Sequence, residues 1–388
     1  MPKLTHKTSI YSLIALCVFL SINNVIFNIL PIVLGTASIS LNLSDDNIGF
    51  IGSIFLLGTT LANLSSIYWV NRCNWQKFLL TNSILTCALL FLASLSNYQE
   101  LVILFFIIGL CSGSALACVF CAIAAQPKPE KIYGIGLGMQ VSMAGLVIFI
   151  LQFEFISILG FEGLMLSLAG IFLLASTIAF AFPSLGSVQN NPKANKNKGR
   201  STWALAMLIP LTGIAIYFLG QTAIWAFLQR IGDAKSLEHN YISYTIALVL
   251  ILCSLGAFAA SWLGTRLGRN IPLLIASALF IGSIAGLYLF DSAAAYFIAV
   301  LVYSCAWNFA LPYQLLAVNA ADPSGKMASL IPTFQNIGGT LGPGIGGILI
   351  TQSGNQSTLY IMTVATTVLC LFFFIRSSVV KVPKPLMA

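Results

Sequence analysis

Long apolar blocks alternate with short polar segments along the whole of this 388-residue chain. A helix needs about 20 predominantly apolar residues to cross the hydrocarbon core of a bilayer. Because the blocks reach or approach that length, the pattern predicts an all-α membrane protein with twelve transmembrane helices. The blocks lie at residues 10–35, 47–69, 78–96, 100–125, 133–158, 163–183, 202–229, 240–263, 271–290, 294–318, 327–351 and 356–375.

Composition and charge agree with this pattern. Only 7% of the residues are charged, against about 25% in soluble domains, so most of the chain must face lipid or other apolar helices. If the N-terminus is cytoplasmic, every Lys and Arg except Arg230 and Lys235 falls on the cytoplasmic side. The positive-inside rule therefore predicts twelve spans in a cytoplasmic (inner) membrane, with both termini cytoplasmic. The net charge of +8 is then a topology signal, and no nucleic-acid partner is indicated.

The longest polar interruption divides the chain into two halves of six predicted spans each. Residues 184–201 are rich in Asn, Lys, Gly and Ser, which is typical of a flexible linker. We therefore predict an N-terminal six-helix bundle over residues 1–183, a cytoplasmic linker, and a C-terminal six-helix bundle over residues 202–388. The loop "NRCNWQKFLL" after span 2 is echoed by "TRLGRNIPLL" after span 8, half a chain later. Paired halves with such repeats are a known plan of secondary transporters.

These loops resemble the signature loop of the major facilitator superfamily. The second copy keeps Arg266, Gly268 and Arg269 of the family pattern, and the first keeps Arg72, but Asn71 and Thr265 stand where the family has an acid. The resemblance covers essentially the whole chain. It implies two pseudo-symmetric bundles and transport by alternating access, with the loop arginines taking part in gating on the cytoplasmic side.

The segment "NIGGTLGPGIGGILI" in span 11 carries a second resemblance. Its glycines and proline match the GxxxGPxxGG core that antiporters of the same family carry in span 5; the matching residues are Gly338, Gly342, Pro343, Gly346 and Gly347. Small residues four apart allow helices in a membrane to approach closely. We expect this stripe to pack against another helix and, through the proline, to act as a hinge.

Polar and aromatic residues in spans 1, 7 and 10 are candidates for binding a solute, because the resemblance implies that these spans line a central cavity. They share a helical face or a similar depth, and they are Asn24, Asn28, Tyr217, Gln221, Trp225, Tyr303, Trp307, Asn308 and Gln314. Trp225 and Trp307 are expected to face the site from opposite edges. Since no Lys or Arg lies at this depth, the site favours an amphipathic or largely neutral organic solute over a small anion.

One carboxylate is a candidate for energy coupling. Glu154 is the one acidic residue, among ten, that falls within a predicted span, and an ionisable group inside a membrane is by default a candidate proton site. We expect Arg230 at the end of span 7 to be its partner. Protons are then the coupling ion, and the pair would gate the outer side.

The leading interpretation is a secondary transporter of a small organic molecule that functions as a monomer. Export is slightly favoured over import of a nutrient because of the glycine-proline core. A relative that no longer transports and serves as a membrane sensor or assembly partner is the alternative from another class. The sequence indicates no enzyme, no cofactor and no metal: the nine cysteines and two histidines form no ligand or catalytic pattern.

Overall fold

The structure, a computed structural model, describes residues 10–70, 72–124, 129–154, 156–182, 205–321 and 331–379. These residues form fourteen α-helices and one short 3-10 helix, Ala179–Ala181. The helices of the first half are α1 (Ile10–Asn28), α2 (Leu30–Leu41), α3 (Asp45–Trp69), α4 (Trp75–Ser94), α5 (Tyr98–Ala124), α6 (Pro129–Glu154) and α7 (Ile156–Ile178). Those of the second half are α8 (Leu205–Ala234), α9 (His239–Leu252), α10 (Ser254–Leu263), α11 (Asn270–Leu289), α12 (Ala293–Ala321), α13 (Ile331–Ser353) and α14 (Ser357–Val379).

Each predicted span coincides with one of these helices or with two consecutive ones. Ten helical segments in the described ranges are long and apolar enough to cross a membrane, so the predicted all-α membrane fold is confirmed, and the count of twelve is confirmed for ten spans. Spans 5 and 11 are the exceptions. In α6 the apolar stretch is limited to Gly138–Ile150, and in α13 six of the 23 residues are glycine.

Helix breaks interrupt two of the predicted spans, a feature that hydropathy did not predict. The first span is split at Ile29 (φ −103°, ψ 14°), because Pro31 in the first turn of α2 has no N–H to continue the helix of α1. The eighth span is divided at Cys253 into α9 and α10. Within α7 the backbone leaves the helical region at Gly160, where φ is 55° and glycine is the residue that adopts it without strain.

The chain divides into two compact units. The first comprises Met1–Asn42 and Ile54–Asn195, and the second comprises Leu43–Ser53 and Lys196–Ala388. Helix α3 therefore contributes its first turns to the second unit and the rest to the first unit. Contacts of residues 43–53 with α8 and α13 are contacts within the second unit.

Each unit has its own apolar core. In the first unit the rings of Phe19 and Phe182 meet edge to face at 5.6 Å, and the buried indole of Trp75 donates from Nε1 to the carbonyl of Val70 at 2.7 Å. In the second unit Tyr313 is buried, and its hydroxyl lies 3.2 Å from the carbonyl of Ala260. Buried polar atoms are thus paired at these core positions, as burial requires.

Candidate functional site

An aromatic cluster between α8 and α12 is the main feature of the second unit. Trp307 of α12 lies at its centre and meets three rings edge to face. The centroid distances are 5.7 Å to Phe218, 6.0 Å to Tyr303 and 6.4 Å to Trp225. Trp225 and Trp307 therefore contact each other, and the expectation that they face a site from opposite edges is wrong. The i to i+4 spacing that placed Tyr303 and Trp307 on one face holds, because their rings are neighbours.

Gln221 lies on the turn of α8 between two members of this cluster, Phe218 and Trp225. Trp307 contacts Phe218 one turn before Gln221 and Trp225 one turn after it, so its indole lies across the turn that carries the amide. The hydroxyl of Tyr303 donates to the backbone carbonyl of Gln221 at 2.6 Å. The Gln221 side chain is only 1% exposed, yet neither its Oε1 nor its Nε2 has a hydrogen-bond partner.

Three other predicted residues of the second unit lie at the margins of the cluster. Gln314 of α12 is 2% exposed and also has no partner for either amide atom. It follows Trp307 by seven residues, which is about 10 Å along a helix. Asn308 donates from Nδ2 to the carbonyl of Ser304 in its own helix at 3.0 Å. Tyr217 is buried, its ring meets that of Phe218 at 5.9 Å, and it packs in the core of the unit.

The two asparagines of the first unit differ in how they are bonded. Asn24 donates from Nδ2 to the carbonyl of Leu20 at 3.0 Å, so its amide is tied to its own helix. Asn28 is the last residue of α1, next to the break before α2. It is buried, and its Nδ2 has no partner. A break in a membrane helix leaves backbone groups for a ligand, which makes Asn28 the stronger candidate of the two.

The glycine stripe of α13 lies against α8. A Cβ on Gly338 would overlap the backbone of Ala215, and a Cβ on Gly342 would overlap Thr222 and the carbonyl of Leu219. A Cβ on Gly346 would crowd Leu359 and lie near Phe227. Only glycine therefore allows the approach at Gly338 and Gly342.

The opposite face of α13 receives the first turns of α3. A Cβ on Gly347 would overlap the carbonyl of Asp45. The N–H of Gly344, next to Pro343, donates to Ser53 Oγ at 2.7 Å. Residues 43–53 are thus bonded to α13 as well as packed against it.

Arg230, near the C-terminal end of α8, has a carboxylate partner that the sequence did not suggest. Its Nε donates to Asp45 Oδ1 at 2.8 Å. Asp45 is the first residue of α3, and its charge also suits the positive end of that helix. Glu154, the predicted partner, is the last residue of α6, and its side chain lies outside the described part of the structure.

The three loop arginines do not form a charge network among the residues that the structure describes. Arg269 donates from Nη1 to the carbonyl of Ala317 at 3.3 Å, and partial burial lowers its pKa from the ordinary value. The guanidinium of Arg266 lies 5.7 Å from the centre of the Trp262 ring, and Arg72 is exposed. This agrees with the loss of both acids from the family pattern.

Two other features bear on where a ligand could bind. Within the described ranges, no group of three or more His, Cys, Asp or Glu side chains could hold a metal ion. A small cavity of 150 Å³ lies near the ends of α8, α11 and α14, lined by Lys235, Asp291 and Tyr360 among others. It is distinct from the aromatic cluster, and the ammonium of Lys235 is already bonded to Asp291 Oδ1 at 2.8 Å.

Long apolar helices that bury amides and aromatic rings define an integral membrane protein of the helical-bundle class. The profile of the Major Facilitator Superfamily matches residues 12–331 and 211–387. The chain belongs to the major facilitator superfamily, and members of this family transport small molecules by alternating access. No curated protein matches the chain by sequence.

Solved transporters share the fold over nearly the whole chain. A bacterial homolog of the human lysosomal transporter Spinster is 14% identical, with 96% of this chain and 98% of that chain covered and a TM-score of 0.73. The nucleoside transporter NupG is 13% identical, with 95% and 99% covered and a TM-score of 0.74. The D-xylose-proton symporter is 14% identical, with 94% and 97% covered and a TM-score of 0.72. At such low identity the likeness shows the fold alone.

Proposed function

We propose that this protein is a secondary transporter of a small, largely neutral organic solute, and that the solute binds at Gln221 and Trp307. The observation that carries the proposal is the Gln221 amide, which is buried without a partner on the turn of α8 between Phe218 and Trp225, two rings that contact Trp307. A buried polar group left unpaired costs about 1–3 kcal/mol. A solute that pairs with both amide atoms would remove that cost. Solute binding therefore explains why a glutamine occupies this buried position.

The side chains around Gln221 favour a particular chemistry in the solute. A carboxamide offers one acceptor and two donors in a plane, and the edges and faces of Trp225, Trp307 and Phe218 supply apolar contact. No charged side chain belongs to this cluster among the described residues. A neutral solute with adjacent donors and acceptors and an apolar face fits these features. Two structural neighbours are named as a nucleoside transporter and a D-xylose-proton symporter. The solutes in those names are of that kind.

Asn28 and Gln314 are proposed as further polar contacts along the solute pathway. Both are buried, and each has at least one amide atom without a partner. Asn24, Tyr217, Tyr303 and Asn308 are proposed as supporting residues, because their polar groups are bonded to backbone or buried in the core. We also propose that both termini are cytoplasmic, that the membrane is the cytoplasmic (inner) one, and that the protein works as a monomer.

The direction of transport is proposed with a slight preference for export. The support is the glycine-proline core of α13, which matches the core that family antiporters carry in another span. An importer of the same fold and a non-transporting sensor are the alternatives. The unpaired Gln221 amide argues against the sensor, since a cluster without a ligand would be more stable with an apolar residue there.

A thermal-shift screen of the purified protein tests the proposal. A solute that binds the folded state raises the unfolding temperature in proportion to the logarithm of its concentration. We expect a neutral metabolite to shift the wild type, and Trp307→Phe to weaken this shift. Trp75→Phe is the control, because Trp75 is also a tryptophan packed in an apolar core, is buried more deeply than Trp307, and lies in the first unit. Equal shifts in Trp307→Phe and the wild type would contradict the site.

A further inference from the structure

A cluster of polar side chains lies where α8 ends and α9 begins. Gln229 and Asp233 are four residues apart on α8 and so share a face, and His239 is the first residue of α9. Gln229 Nε2 lies 3.2 Å from His239 Nδ1. The same ring nitrogen lies 4.0 Å from Asp233 Oδ1. The amide nitrogen also lies 3.4 Å from the other ring nitrogen, Nε2, so the imidazole contacts the amide directly, and the carboxylate lies just beyond hydrogen-bond distance.

Two buried acceptors of this cluster have no hydrogen-bond donor. Gln229 is fully buried, and its Oε1 has no donor. Asp233 Oδ2 is also buried and has no donor. A proton bound by the imidazole or the carboxyl would supply a donor at this place. With the ring protonated, a flip of the Gln229 amide would turn its oxygen toward a ring N–H, because O and N of an amide exchange places in a flip.

Arg230 connects this cluster to α3. Its Nε donates to Asp45 Oδ1 at 2.8 Å, and its charge also acts on Asp233, one turn further along α8. The next residue of α3 is bonded as well, since the N–H of Asp46 donates to Thr351 Oγ1 of α13 at 3.0 Å. The Arg230–Asp45 pair thus helps to hold the first turn of α3 on α8 and α13.

The other charged or titratable groups described near the cluster are already hydrogen-bonded to other partners or are exposed to solvent. Lys235 is bonded to Asp291 Oδ1 at 2.8 Å. Tyr296 of α12 donates its hydroxyl to a backbone carbonyl of α8 at 2.9 Å. Glu238 precedes His239 in sequence, but its side chain is exposed to solvent. Asp233, His239 and Arg230 are therefore the groups whose charges bear most closely on one another.

We propose that Asp233 and His239 form a proton-binding site that determines how firmly Arg230 holds Asp45. With the proton bound, the imidazolium neutralises Asp233, and the guanidinium of Arg230 is left to Asp45. With the proton released to water, Asp233 competes with Asp45 for the same guanidinium. Proton binding at this site does not require a solute. The further claim that this proton is the ion coupled to transport rests on the proposed function.

Hydrogen–deuterium exchange of the intact protein in nanodiscs, with no solute added, tests this site. The readout is the peptide that covers residues 45–53, compared at about pH 5.5 and about pH 8 after correction for intrinsic exchange rates. We expect the wild-type protection factor to fall by about threefold or more at the higher pH. His239→Gln and Asp233→Asn should abolish this dependence, and Asp233→Asn should keep the peptide protected at both values. Glu238→Gln, which removes an exposed charge beside His239, should behave as the wild type.

Two results would overturn the proposal. One is equal wild-type protection of residues 45–53 at both pH values, and the other is an unchanged pH response in His239→Gln. Because no solute is present, the result does not depend on transport. A pH response in a protein that moves no solute would leave the proton site in place and remove the proposed function.

Discussion

The hydroxyl of Thr222 in α8 lies 3.2 Å from the carbonyl oxygen of Gly339 in α13. That carbonyl would be bonded by the N–H of residue 343 in an unbroken helix, but residue 343 is proline and has none. Thr222 therefore supplies the donor that the proline removes, although it shares its hydrogen with the carbonyl of Phe218 at 2.8 Å. The glycines beside the proline let α8 come close enough for this bond.

Thr222→Val should lower the stability of the protein by about 0.5–1.5 kcal/mol, because the Gly339 carbonyl then loses its side-chain donor. The midpoint of thermal unfolding in detergent measures this change. Thr177→Val is the control, since Thr177 is exposed and its hydroxyl is bonded only within its own helix at 2.7 Å. If both variants unfold at the wild-type temperature, the Thr222 bond contributes nothing.

Gly342→Leu should prevent the close approach of α13 to α8. A side chain there meets backbone atoms of Leu219 and Ala223 that cannot move aside locally. We expect the variant to insert into the membrane but to lose solute binding. Its unfolding temperature should fall by up to about 10 °C, because overpacking costs about 1–3 kcal/mol. Gly282→Leu in α11 is the matched control, because a Cβ at Gly282 meets nothing within 4 Å. Normal binding by Gly342→Leu would show that the stripe tolerates bulk.

Gln221→Leu should separate stability from function. The Gln221 amide has no partner to lose, so an apolar replacement removes an unpaired group and should raise stability by up to about 1–3 kcal/mol while solute binding is lost. Asn82→Leu is the contrast. It deletes a buried bond from Nδ2 to the carbonyl of Cys111 at 3.2 Å in the first unit, and only the Oδ1 of this amide is unpaired, so the variant should be less stable than Gln221→Leu and keep binding. Reduced stability in Gln221→Leu would indicate that the amide has a structural partner.

Cys73, in the turn between α3 and α4, should report the topology and its own protonation. Burial raises the pKa of the Cys73 thiol above its usual value, so the reactive thiolate is scarce at neutral pH. Its alkylation rate should therefore increase about tenfold per pH unit through and beyond pH 8, where an ordinary thiol begins to level off at about 8.5. Mass spectrometry of the peptide that carries Cys73 measures this rate.

The same reagent tests orientation when it cannot cross the membrane. Labelling of Cys73 should occur only from the cytoplasmic side, and an exposed cysteine introduced by Glu238→Cys should react only from the other side. If both react from one face, the number of spans between them is wrong.

Much of the fold could be predicted from the sequence because the bilayer limits what a spanning segment can be. Apolar length located the helices to within a few residues, as with α4 and α11. The break at Ile29 was not predicted, since a single proline in an apolar block is compatible with either a kink or an end. The hydropathy of α13 is too low to mark it as a membrane span, because glycine occupies the face that packs against α8. The same glycines allow the close packing.

The candidate site could be predicted only within single helices. The i to i+4 spacing correctly grouped Tyr303 with Trp307, whereas the contact of Trp307 with Trp225 depends on how α8 and α12 cross. Phe218 was missed, although it lies three residues before Gln221 and so near the same face. The Asp45 partner of Arg230 was missed because the two are 185 residues apart, and no local pattern shows that α3 begins in the second unit.

Release of solutes from proteoliposomes tests the central claim most directly, because the assay identifies the substrate and detects its transport at the same time. Vesicles loaded with a metabolite extract are diluted, and mass spectrometry identifies what appears outside. We predict that at least one neutral solute leaves wild-type and Asn82→Leu vesicles faster than protein-free vesicles, and that Gln221→Leu removes this difference. Identical release from wild-type, Gln221→Leu and protein-free vesicles would contradict the account.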